Sequence, residues 1–193
     1  MIFFVFIFKF VESSILDRTL RYQLDELCEF PKDREWKLIY KASRDGFKAS
    51  DFHAKCDYHS GTLTVIKSES GNVFGGFTEQ AWHSRYGFVA DPSAFIFSLV
   101  NKDKNPFKVN CSNDGQYGIF NAEKYGPVFG GDGKKLRDIV IISDSNRLNK
   151  SYTDFGYAYQ HPDYQRETVK AKSILAGSFE FHIDEIEVYK KYD

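Results

Sequence analysis

At 193 residues the chain suits one domain, and a globule of this size buries roughly 70% of the surface its unfolded chain exposes. Its 26 basic and 27 acidic residues leave a net charge of −1, so there is no bulk electrostatic case for nucleic acid or an anionic membrane as the main partner, although a local patch stays open. Nineteen Phe and twelve Tyr favour strands, while three widely spaced cysteines (Cys28, Cys56, Cys111) argue against a disulfide framework and suit a reducing, intracellular setting.

Residues 1–12 form an apolar lead ahead of a domain at 13–193. Ile2–Phe8 is too short to span a bilayer as a helix, so no membrane insertion is expected. It reads as a signal peptide lacking a basic flank and a clean cleavage site, as a strand pairing with the domain, or as the remnant of a longer protein or a mis-set start. Ser14–Glu29 then reads as a helix capped by Ser14. Leu16, Leu20, Leu24, Leu27 and Cys28 fall on one face, and Pro31 ends the helix.

Lys37–Ala42 is a short apolar strand. A turn follows at 43–47. Gly46 takes a backbone angle that other residues resist, Asp45 bonds the amides after it, and Phe47 re-enters the core. Arg44 and Asp45 read as an exposed recognition pair or as a local ion pair holding the turn. Ser50–Tyr58 is a second helix, with Ser50 as cap, Asp51 in its first turn, and Phe52 and Cys56 facing inward. His53, Cys56 and His59 recur every three residues, but the outer two diverge on a continuing helix and no fourth ligand is evident, so no metal is expected.

Thr62–Phe77 reads as a β-hairpin turning at Ser68–Asn72, with Leu63 and Val65 on one face. Gly75 and Gly76 mark a bulge or a close backbone approach. Trp82–Pro92 is loop-like. Phe95–Val100 alternates as a strand, and Phe107–Val109 and Tyr117–Phe120 return after polar turns. Gly126–Lys135 (GPVFGGDGKK) has the glycines and lysines of a phosphate loop, but Val128 stands where that loop needs glycine. Asp138–Ser143 reads as a strand buried on both faces. Asp144–Thr168 is polar, rich in Tyr and without a clear period, a natural place for a binding surface. In Ser178–Tyr189 the apolar parity switches between Phe179, Phe181, Ile183 and Ile186, Val188, which predicts a bulge near Asp184-Glu185 and turns Glu187 to the opposite face. His182 with Asp184 or Glu187 could be offered as a proton-transfer set. No nucleophile signature accompanies them, since Ser178 follows Gly177 without the Gly-x-Ser-x-Gly elbow.

Taken in order, WKLIYKASRDGF (36–47), FHAKCDYHSGTLTVIKSESGNVFGGF (52–77), DPSAFIFSLV (91–100), YGPVFGGDGKKLRDIVI (125–141) and LAGSFEFHIDEIEVYK (175–190) resemble the TLDc (TLD) domain, from about Ser13 to Tyr192. SSIL (13–16) looks like the usual lead-in. The resemblance implies a mostly β (α+β) fold, an antiparallel β-sandwich flanked by short helices. It also implies a non-enzymatic intracellular interaction domain, associated with oxidative-stress resistance and with binding the vacuolar proton-pumping ATPase. It supplies no cofactor, metal or catalytic residue. Arg44, Asp45 and Gly46 match the family's SRDG turn and Glu187 its closing IEV motif, which makes these four the candidate partner-binding residues. The alternatives are a redox-linked enzyme working through Cys56 or Cys111, and a ligand-binding sandwich of lectin-like or SPRY-like type.

Overall fold

The computed structural model describes residue 10 and residues 12–192, so the readings made on Met1–Lys9 lie outside the described residues. The elements run α1 (Arg18–Cys28), β1 (Trp36–Lys41), α2 (Ala42–Asp45), α3 (Ala49–Cys56), β2 (Thr62–Ser68), β3 (Val73–Thr78), β4 (Gly87–Val89), β5 (Phe95–Val100), β6 (Phe107–Asn110), β7 (Ile119–Asn121), β8 (Tyr125–Phe129), β9 (Ile139–Ile142), β10 (Ser151–Thr153), α4 (Val169–Ile174), β11 (Glu180–Phe181) and β12 (Ile183–Lys191). They form two antiparallel sheets, ordered β1-β12-β2-β3-β5-β6 and β11-β10-β9-β8-β7-β4. This is the antiparallel sandwich with short helices that the resemblance implies, and it agrees with the strand-dominated pattern of the segments.

The strands' period of two sorts side chains between layers. From the first sheet, Tyr40, Ile66, Phe74, Ile96, Ile186 and Val188 face inward, and they meet Ile119, Phe129, Ile139, Ile141 and Phe181 of the second. Two close approaches lock the layers. A Cβ on Gly76 would lie 2.7 Å from the Phe129 ring, so this glycine makes room for an aromatic ring from the opposite sheet. Trp82 packs edge-on against Phe52 and Phe129 at 5.4 and 5.6 Å, and its indole N–H donates to Thr62 Oγ1 at 2.9 Å.

The other face of the first sheet carries Leu63, Val65, Phe77, Phe95, Phe97 and Tyr189, and it is covered by α1 and the strap before it. Leu24 and Cys28 are buried there, and Leu20 and Leu27 pack beside them, as the spacing predicts. Phe10 is buried too, stacked on Trp36 and edge-on to Tyr189. The helix starts later than expected. Asp17 is its cap, accepting the Leu20 amide at 2.9 Å, because Ser13 and Ser14 are engaged elsewhere. Ser50 is likewise no cap. It lies inside α3, and the Asp51 carboxylate closes the helix start by accepting the Lys48 amide at 3.0 Å.

Three segments read as irregular contain strands. Trp82–Pro92 holds β4, Gly126–Lys135 holds most of β8, and 144–168 holds β10. The last of these is core in its middle and surface at its ends: Phe155, Tyr159 and Tyr164 are buried between the layers, while residues 146–150 and 165–168 are exposed. Asp138 fastens it. The fully buried carboxylate accepts the amides of Gly156 and Tyr157 at 2.8 Å and of Ala158 at 2.9 Å. Burial pushes this carboxyl up to about 7, with the amides opposing the shift. The bulge predicted in the closing strand falls between Ile183 and Glu185. Among the described residues no helix is long and apolar enough to cross a membrane.

Candidate interaction site

The SRDG turn is helical for one turn and then broken. Gly46 has φ +114°, and a Cβ there would meet the Asp51 carboxylate at 2.1 Å, so both the angle and the space require glycine. Its carbonyl accepts the Tyr40 hydroxyl at 2.7 Å. Asp45 does not bond the amides after it, as expected for a tight turn. Its Oδ2 reaches back to the amide of Lys41 at 3.0 Å, because residues 42–45 wind as α2 and set that carboxylate over the strand end. Arg44 grips the same carboxylate with two bonds, Nε to Oδ1 at 3.1 Å and Nη2 to Oδ2 at 2.8 Å. Hydrogen bonding from Arg44 is the main reason the Asp45 carboxyl sits below its ordinary range. Arg44 itself remains 45% exposed on its side chain, with Lys55 (49%) nearby at 3.7 Å from Asp45. Phe47 returns to the core as predicted.

Glu187 is brought to the same place from the far end of the chain. It is fully buried. Its carboxylate accepts Ser13 Oγ at 2.5 Å, the Ser14 amide at 2.7 Å, Ser14 Oγ at 3.1 Å and the Tyr189 hydroxyl at 2.7 Å. Ser13 Oγ in turn accepts the amides of Ile15 and Leu16. Lys41 links the two halves: its Nζ lies 3.5 Å from Glu187 and donates to the Glu12 carbonyl at 3.3 Å, while the Glu12 carboxylate sits 3.6 Å from Arg44. A neighbouring contact repeats the theme, with Glu185 accepting both the amide and the hydroxyl of Ser43.

The structure therefore joins all four sequence-predicted residues in one charged seam between the strap, the turn and β12. Arg44 faces solvent, Asp45 orients it, Gly46 permits the turn, and Glu187 holds the strap from beneath. Glu12, Ser13 and Lys41 complete the seam. Only the Ser-Ser pair carried a sequence signal, as the SSIL lead-in, and nothing local pointed it to Glu187.

The other candidates are not assembled into a catalytic set. His182 Nδ1 pairs with Glu69 at 3.0 Å and Asp184 with Lys67 at 2.7 Å, while Glu187 lies on the strap side of β12. His53 is clamped by Asp57 at 2.7 Å on one ring nitrogen and by the carbonyls of Ala122 and Tyr125 on the other. Among the described residues no group of His, Cys, Asp or Glu is placed to hold a metal. All three thiols are free, and burial raises Cys28 to about 12, Cys111 to about 11 and Cys56 well above its ordinary value. Shallow grooves of about 520 and 410 Å³ share Glu69 and His182, and Asn146 and Asn149 are what the 144–168 segment contributes to them.

A two-sheet antiparallel sandwich with a helix-covered back and a fixed, charged turn at one seam defines the class. The chain belongs to the TLDc domain family, whose profile matches residues 9–191. It is similar to MTOR-associated protein MEAK7 of Xenopus laevis, 27% identical over 86 residues, which is 45% of this chain and 19% of that protein. The Danio rerio protein of the same name is 27% identical over 64 residues (33% of this chain, 14% of that protein). The Mus musculus one is 26% identical over 106 residues (54% and 23%). The chain spans less than a quarter of the length of these relatives. The lectin-like or SPRY-like alternative gives way to this family.

Proposed function

We propose that the chain is a non-enzymatic, intracellular interaction domain that binds subunits of the vacuolar proton-pumping ATPase and serves oxidative-stress resistance through that contact. Family membership supports the reading. The observation that carries it is the Arg44 guanidinium, held by two bonds to Asp45 yet open to solvent, which is a preorganised cation on a rigid turn. The name of the relatives supports a second partner of the same kind, an association with MTOR. Immobilised chain and cell lysate, read by mass spectrometry, test both. Phe97→Asp, which buries an unpaired charge in the covered face of the first sheet, is the unfolded control. Arg44→Glu reverses the exposed charge beside Asp45 and Glu12, and it is scored as a bait whose circular dichroism matches that of the wild type. Enrichment of pump subunits or of MTOR over both variants is the expected result. A folded bait that enriches neither sinks the proposal.

A further inference from the structure

The outer faces of the two sheets differ. That of the first is covered by α1, whereas the cluster on the second, around Phe120, Val128 and Val140, is built from strands of that sheet and the turn beside them, with no helix residue in it. Arg137 lies across this face. Its guanidinium carbon is 4.0 Å from the centre of the Phe120 ring and 4.3 Å from that of Phe88. The residue is only 6% exposed. Nη1 donates to the carbonyls of Leu136 and Lys134 at 2.8 and 3.3 Å, Nε has no acceptor, and no carboxylate pairs with the group among the described residues. Of the two acids in the same connection, Asp132 accepts the amides of Lys134 and Leu136 and Asp138 those of Gly156, Tyr157 and Ala158, and neither forms an ion pair with Arg137. A desolvated cation without a counter-ion is costly, and rings and carbonyls replace water only in part. Two features extend the patch. Lys124 Nζ sits 5.0 Å from the Tyr125 ring, and Tyr86, edge-on to Phe120, is 76% exposed.

We propose that this face docks an acidic segment of a protein partner, which sets a carboxylate at the Arg137 guanidinium and an apolar side chain against the exposed Tyr86 ring. Charge complementarity selects that occupant. A planar guanidinium between rings is suited to a carboxylate, and the aromatic surround suits an adjacent apolar residue. The surface is distinct from the Glu187 seam and does not depend on what Arg44 meets.

The test is selection of a random-peptide phage library on the folded 193-residue chain, followed by fluorescence anisotropy with the enriched peptides. Expected are sequences with Asp or Glu beside Phe, Tyr or Leu. Binding should weaken with salt and fall roughly tenfold in Arg137→Gln, the scale of one lost charge-assisted contact. Tyr86→Ala and Lys124→Glu alter exposed positions and should also weaken binding, so they decide the matter if Arg137→Gln fails to fold. Enriched peptides without acids, binding unchanged in the folded variants, or no enrichment at all overturns the proposal. Pump capture, scored separately with Arg44→Glu, fails or succeeds independently.

Discussion

Replacing Glu187 by Gln should loosen the strap and lower the stability of the whole domain. The wild-type carboxylate is fully buried, with four hydrogen bonds from Ser13, Ser14 and Tyr189 and the Lys41 ammonium at 3.5 Å. Gln keeps one acceptor oxygen. Its NH2 can face a serine hydroxyl that turns to accept, but the Ser14 amide cannot accept, and Lys41 loses its negative partner. Hydrogen bonds to a charged group contribute about 1.5–3 kcal/mol, and removing one member of a buried ion pair costs about 3–5 kcal/mol. Lys41 is 18% exposed on its side chain and keeps the Glu12 carbonyl, so part of its charge returns to water. The expected loss is then about 2–4 kcal/mol, or a fall of about 1 M or more in urea midpoint at a slope near 2 kcal/mol/M. The two tryptophans report separately: Trp36 sits against Phe10 under the strap, and Trp82 lies between the sheets. Fluorescence of single-Trp forms should show Trp36 responding at lower urea than Trp82 in Glu187→Gln. Ser13→Ala should also cost less in the Gln background than in wild type, as a shared interaction requires. A loss below about 1 kcal/mol, the level of an exposed ion pair, would refute the buried seam, and so would full additivity with Ser13→Ala.

Gly76→Ala should cost about 1–3 kcal/mol in thermal or urea unfolding, since its Cβ would press on the Phe129 ring at 2.7 Å; a neutral result would mean that the sheets can part locally. Asp138 binds its proton more tightly folded (about 7) than unfolded (3.8), so between these values the native state holds the extra proton and its contribution falls as pH rises. The slope is on the order of 1.4 kcal/mol per pH unit, and Asp138→Asn should flatten it between pH 5 and 7 whatever it does to absolute stability; an unchanged slope rejects the assignment. Cys111, raised from 9.0 to about 11, should alkylate about a hundredfold more slowly than a free thiol at neutral pH, and Cys28 and Cys56 more slowly still. Rapid labelling of any of them in the folded chain would revive the redox-linked reading.

Much of the first sheet was legible because its strands alternate cleanly. The parity switch in the closing strand even gave the place of the bulge, between Ile183 and Glu185. The second sheet was harder. Tyr125–Phe129 carries a Gly and a Pro and resembled part of a loop, and Ser151–Thr153 is too short to show a period; both become strands through their neighbours rather than their own propensity. The start of α1 was misread for a tertiary reason. Ser14 and Asp17 are both good caps, and Asp17 takes the role because both serines are drawn to Glu187. The local half of the candidate site, Arg44 against Asp45 around Gly46, could be read from adjacent residues. The other half could not, since Ser13 and Glu187 stand 174 positions apart and no local rule couples them. Arg137 was equally hidden, because its rings come from β4 and β7.

The strand order of the first sheet also bears on how the chain is made. β12 lies between β1 and β2, so these two strands cannot acquire their shared neighbour until β12 has been synthesised. At about 5–20 residues per second that wait is on the order of ten seconds, during which both early strands present unpaired edges. The β1-β12-β2 ladder then closes across a long sequence separation, which favours slow folding. Loss of β12 would detach β1 from the sheet and leave β2 as a bare edge, and newly made chains would be natural clients for chaperones that shield strand edges.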